Sequence, residues 1–164
     1  MSDQVPVVKV ELKRANAAEL IAGRPELAGA PFMKALGAGA KTLVAGAVMR
    51  RFQDKAVLMQ QGDSGRSLFF VLAGDVRIFS RRDTDSAELG VAHAGDVIGE
   101  CEILSNEARR CSAVALGQVD VLELQRDALL VGGKVPPQLA TLLEGVKKHR
   151  MKALDEMSDF LNRW

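Results

Sequence analysis

The sequence predicts a mainly β fold with flanking helices, and two observations carry that prediction. Between about residues 48 and 124, short apolar segments alternate with turn signals at nearly even spacing: Gly62-Asp63-Ser64-Gly65, Gly74-Asp75, Arg82-Asp83-Thr84-Asp85-Ser86 and Gly95-Asp96. Many short strands so punctuated argue a sandwich or barrel. The composition on either side differs, being alanine- and glycine-rich before this zone and charged and leucine-rich after it.

Taken in order, Val8-Lys9-Val10-Glu11-Leu12-Lys13 alternates with a period of two, as a short half-buried strand does. Residues 16–22 and 30–44 read as helices, the second interrupted by glycines that weaken it. Ser67-Leu68-Phe69-Phe70-Val71-Leu72 is an almost continuous apolar strand, and Val76-Arg77-Ile78-Phe79 resumes after Gly74-Asp75, so the two read as a hairpin. Residues 119–124 alternate again and would close the barrel. Gly132-Gly133 and Pro136-Pro137 then stop one element and permit another to start, since proline suits a first helical turn. The long helix that follows places Leu139, Leu143, Val146, Leu154, Met157, Leu161 and Trp164 on one face. Lys147, Lys148, Arg150 and Lys152 fall mostly on the others. The basic run from Lys147 to Lys152 is therefore read as a solvated helix face.

At 164 residues, 48% hydrophobic and 26% charged, the chain has the balance of one globular domain with a sizeable core. A net charge of +1 gives no overall field toward nucleic acid or an anionic membrane. The N-terminus lacks a secretory pattern and no apolar run approaches the ~18 residues of a membrane span, so a cytoplasmic protein without membrane insertion is expected. Cys101 and Cys111 are read as small buried residues. His93 and His149 stand apart, too few for a metal site and ordinary at a surface. Residues 34–42 end in Gly39-Ala40-Lys41-Thr42, but alanines at 35 and 40 deny them the glycines of a nucleoside triphosphate loop, leaving helix as the reading. No nucleophile has a recognisable context, and the chain is read as a non-enzyme without cofactor or metal.

The informative segment is 89–115. A turn at Gly95-Asp96 delivers the chain to Gly99, where a missing Cβ lets backbone approach a ligand. Glu100 follows, then an apolar stretch, Cys101 to Leu104, broken only by Glu102. As a single helical turn, that stretch would aim free N–H groups at an anion behind Gly99. Arg109 closes a polar loop and could return its guanidinium to the same anion with paired hydrogen bonds. Phosphate with an adjacent ribose hydroxyl fits an arginine beside an acid, yet on these residues alone a salt bridge on a loop is the stronger reading.

These residues resemble the phosphate-binding cassette of cyclic nucleotide-binding domains, the family of cAMP-dependent kinase regulatory subunits, bacterial catabolite activators and cyclic nucleotide-gated channels. Residues 52–79 are similar to the family's opening strands, Gly95-Asp96-Val97-Ile98-Gly99-Glu100 to the start of its cassette, and 115–127 to its exit strand. The resemblance implies a roughly eight-stranded β-roll of jelly-roll type, a double-stranded β-helix, with N-terminal helices and a C-terminal hinge and lid helix. In domain terms it implies an N-terminal extension over 1–28 and a nucleotide-binding domain over 29–164, with the roll at about 48–124 and the helices at about 126–164.

For the site it implies cAMP or cGMP as ligand, held by Gly99, Glu100 and Cys101 at the ribose and phosphate, by Arg109 at the phosphate, and by Arg110 and Cys111 through backbone. Ala108 and Arg110 stand where the family commonly has a proline and a small residue. A loop one residue longer would make Arg110 the phosphate partner, although the ungapped match over 113–124 favours Arg109. Val71 and Ile98 are candidates for the base side. The implied function is a sensor that repositions its last helix for an effector on another chain, the helix's apolar stripe being open either to cover the barrel or to pair two subunits. The alternative is a degenerate domain that keeps the barrel for protein contacts without nucleotide.

Overall fold

A computed structural model of the chain describes residues 8–9, 14–105 and 107–162. Strand β1 (Val8–Lys9) leads to α1 (Arg14–Ala22), α2 (Pro25–Ala28) and α3 (Pro31–Leu36), a turn of 3-10 helix (Gly37–Gly39), and α4 (Ala40–Gly46). Pro25 and Pro31 each open a helix, where a missing N–H costs nothing. The helix expected over 30–44 is thus broken in two, because Gly37, at φ 59, ends α3. Positions 10–13 of the expected first strand lie outside the described residues.

The sheet follows: β2 (Val48–Phe52), β3 (Val57–Met59), β4 (Ser67–Arg82), β5 (Asp85–Ala92), β6 (Val97–Ile98), helix α5 (Glu100–Ser105), β7 (Ser112–Gln125), then α6 (Arg126–Leu129) and the 26-residue α7 (Pro137–Asn162). Every pairing is antiparallel, in the order β1-β2-β7-β4-β5, with β3 on β7 and β6 on β4. No helix among the described residues is long and apolar enough to cross a membrane.

The hairpin expected at Gly74-Asp75 does not form. Instead β4 runs through both residues as one strand with a bulge, and the chain reverses at Asp83-Thr84, between the paired Arg82 and Asp85. Gly74 sits at φ 89, and a Cβ there would collide with the Gln118 carbonyl across the ladder, so the glycine serves a close strand crossing rather than a turn. The bulge also shifts side-chain parity: Phe69 and Val71 before it and Val76 and Ile78 after it all enter the same core. Divided at their irregularities, β4 and β7 supply four segments, so that the six strands β2 to β7 make the eight segments expected of the roll, with the short β1 added at the edge.

The apolar run in β4 is continuous because both its faces are buried. Phe69, Val71, Ile78 and Leu89 fill the interior of the roll, with Val119 and Val121 from β7. Leu68, Phe70 and Leu72 face the other way, against Leu27, Phe32 and Val44 of the N-terminal helices and Leu139 and Leu143 of α7. Further along α7, Ala153 and Leu154 reach the roll's own core. The remaining apolar positions expected on that helix, Met157, Leu161 and Trp164, lie outside the residues whose side chains are described.

Candidate functional site

Three backbone features converge at one end of the roll. β6 pairs Val97 and Ile98 with Phe70 and Phe69, which fixes the chain up to Gly99. Gly99, at φ 97, then turns it into α5. The segment after α5 is stitched to the Gly62-Asp63 turn, with Arg109 N donating to Asp63 O at 2.9 Å and Gly62 N donating to Arg109 O at 2.8 Å. Those two bonds set the direction in which the Arg109 side chain leaves the loop.

Arg109 is 5% exposed. Its guanidinium lies in a crease between two glycines: a Cβ on Gly99 would stand 2.6 Å from Nη1 and 2.8 Å from Ser67 O, and one on Gly65 would overlap the guanidinium as well. Nη1 and Nη2 each donate to Ser67 O at 3.2 Å, and the Phe69 ring lies 5.8 Å from Cζ. Nη1 also donates to Glu102 Oε2 at 2.6 Å, a charge-assisted bond between two fully buried partners. Burial pushes the Glu102 carboxyl above the usual carboxylate range, and the nearby guanidinium only partly offsets it.

Glu100, 2% exposed, is met from across the cleft by α7: Arg150 Nη1 donates to Glu100 Oε2 at 2.5 Å, and Arg150 Nη2 to Val97 O at 2.7 Å. Beside this pair is a cavity of about 530 Å³ between the roll, at Ile78, Leu89 and Ala92, and α7, at Leu142, Val146 and His149. That volume falls within the range of small-molecule sites.

Of the residues expected at the site, Gly99, Glu100 and Arg109 are brought together. Arg110, expected to contribute backbone, has an exposed side chain that pairs with Glu107 at 2.9 Å, so Arg109 alone of the two arginines points inward. Cys101 and Cys111 are both buried free thiols. Burial first, and then the nearby carboxylates, push Cys101 up to about 11 and Cys111 to about 12. Val71 and Ile98 lie in the roll's core and do not line the cavity.

Two buried charged residues of this site escaped the sequence reading. Arg150, expected on a solvated face, is buried at 7% exposure and aimed into the site; only the period of α7, which puts it seven residues and so about two turns beyond Leu143, could have signalled it. Glu102 gave its signal as the one charge in an otherwise apolar turn. His93 and His149 are exposed as expected, with His93 Nδ1 2.7 Å from Asp75 Oδ1.

This architecture has relatives. The model of the family described as "Cyclic nucleotide-binding domain" matches residues 49–131. The chain is 29% identical over 106 residues to the cyclic AMP receptor protein of Thermus thermophilus, covering 64% of this chain and 49% of that protein. It is 32% identical over 107 residues to the cGMP-dependent protein kinase egl-4 of Caenorhabditis elegans, covering 64% of this chain and 12% of the kinase. It thus spans about half the length of the first relative and about an eighth of the second. Among solved structures, the regulatory subunit of a cAMP-independent protein kinase A from Trypanosoma brucei superposes with a TM-score of 0.72 at 20% identity, over 88% of this chain and 50% of that one. With just over half of its residues inside the family match, and with the roll, glycine turn and inward arginine in place, the chain belongs to the cyclic nucleotide-binding domain family.

Proposed function

We propose that this domain is a non-catalytic receptor for a cyclic nucleoside monophosphate, cAMP or cGMP, and that binding is signalled through α7. The observation that carries the reading is the Arg109 guanidinium, fixed between Gly65 and Gly99 and already holding an oxyanion. Carboxylate and phosphate oxygens are interchangeable partners for such a fork. In this reading the cyclic phosphate takes the place of the Glu102 carboxylate on Arg109, and the ribose 2′-hydroxyl donates to Glu100. The base enters the cavity under Leu142 and Val146.

Because Arg150 holds Glu100 Oε2, a ribose hydroxyl that takes that oxygen displaces Arg150. Ligand and helix are then coupled through one acid, and occupancy shifts α7 between two arrangements that a partner chain can read. The relatives in sequence are described by cyclic AMP and by cGMP, which supports the ligand class without choosing the base.

Titration calorimetry with cAMP and cGMP tests the reading. Arg109→Ala is expected to weaken binding more than tenfold, on the order of 2–5 kcal/mol, since it leaves a buried phosphate unpaired. Equal binding by wild type and variant would remove Arg109 from the phosphate site. A second reading, a nucleotide-free interaction module, is favoured by one observation: both acids of the site already have arginine partners within the fold. It expects no heat with either nucleotide and a protein partner retained regardless of them.

A further inference from the structure

Glu102 enters the receptor reading only as the anion that the phosphate displaces from Arg109, and no role of its own is assigned to it there. Its carboxylate sits on Arg109 at 2.6 Å, both side chains are at least 95% buried, and Arg109 is the only side chain that donates to it among the described residues. Two neighbouring arginines are engaged elsewhere: Arg150 with Glu100 and Val97 O, and Arg126 Nε with Ile103 O at 3.1 Å.

We propose that Glu102 is the specificity-determining residue of the pocket, a built-in anion that competes with the phosphate of an incoming nucleotide but not with an uncharged nucleoside. This proposal rests on the receptor reading and deepens it. Four buried charges meet at the site, Glu100 and Glu102 against Arg109 and Arg150, and they cancel. A cyclic phosphate brings a fifth charge, which must either face Glu102 across one guanidinium or drive that carboxylate off its only side-chain partner. Like charges at such separations oppose each other strongly, and a buried carboxylate stripped of its partner is costly. A nucleoside adds no charge. Its hydroxyls can donate to carboxylates that stay where they are, so the penalty falls on the phosphate alone and narrows the site's preference for nucleotide over nucleoside.

The experiment compares wild type with Glu102→Gln, which keeps the side chain's shape and removes its charge, using cAMP and adenosine as calorimetric probes. Glu102→Gln is expected to raise cAMP affinity tenfold or more while moving adenosine affinity by less than about threefold. Adding Arg109→Ala to Glu102→Gln is expected to abolish the gain. Unchanged cAMP affinity, or cAMP and adenosine affinities rising together as in a loosened pocket, overturns the proposal. Thermal melts establish that each variant is folded; should Glu102→Gln not be, Glu102→Asp, whose carboxylate is drawn back from Arg109, is expected to show a smaller gain confined to cAMP, and no such gain overturns the proposal.

The two levels fail separately. If wild type binds cAMP in an Arg109-dependent way and Glu102→Gln changes nothing, only the role of Glu102 falls. If cAMP binds regardless of Arg109, or no protein binds either probe, the receptor reading falls and this proposal with it.

Discussion

At residue 99 a side chain of any kind would strike Arg109 and the Ser67 carbonyl on backbone already at positive φ, so the conformation and the clearance ask for the same amino acid. That double demand is why Gly99 and, after it, Arg109 could be found in the sequence. A residue that must be glycine leaves a mark, and a guanidinium beside it has a geometric purpose. Glu102 and Arg150 carried no such mark, because an acid in a short apolar stretch or a base in a basic run has many uses, and only the fold shows which neighbour it meets.

The two cysteines give a test at the same scale. With their acidities pushed to about 11 and about 12, neither forms appreciable thiolate near neutral pH. Iodoacetamide at pH 8 is expected to label neither thiol in the native protein and both after denaturation. The linkage has a definite sign: the folded state keeps these protons while the unfolded chain releases them near the ordinary thiol value of 9.0. Stability from these groups is therefore complete below about pH 9 and is lost as pH climbs toward 11 to 12.

Among the elements, β4 was legible as strand but not as one strand. Gly74-Asp75 has the composition of a hairpin turn, and nothing local distinguishes a glycine that reverses the chain from one that lets a partner strand cross closely. The distinction lies in the Gln118 carbonyl on β7, more than forty residues away. Helix α7 was legible in extent but not in orientation at its far end. Its second half is held over the site by Arg150, so Arg150→Met, which leaves Glu100 buried without its cation, is expected to cost about 3–5 kcal/mol and to speed amide exchange in the last turns of α7. Pairing it with Glu100→Gln should recover part of that loss in the same exchange experiment, because the stranded charge is then gone.

For the molecule as a whole, two cores share one sheet. Alternate residues of β4 feed the interior of the roll and the layer beneath the helices, and the ring of Phe70 meets Phe32 of α3 with centroids 5.2 Å apart. Phe70→Ala is expected to destabilise the fold by about 3–5 kcal/mol, and chemical denaturation should still show a single transition, since helices and roll lean on the same strand. This level was the most readable in the sequence. Both-face burial leaves a run without polar interruptions, and spaced glycine turns leave a rhythm, and neither depends on knowing which distant residue is opposite.

The course of α7 ties these levels together. Leu139 and Leu143 root its first turns among the N-terminal helices, and eleven residues beyond Leu139, roughly 16 Å along the axis, Arg150 closes on Glu100. Under the proposed receptor function, a partner of the surface formed by α1 to α4 that shifts α7 is expected to change nucleotide affinity, and by reciprocity nucleotide is expected to change that partner's affinity by the same factor.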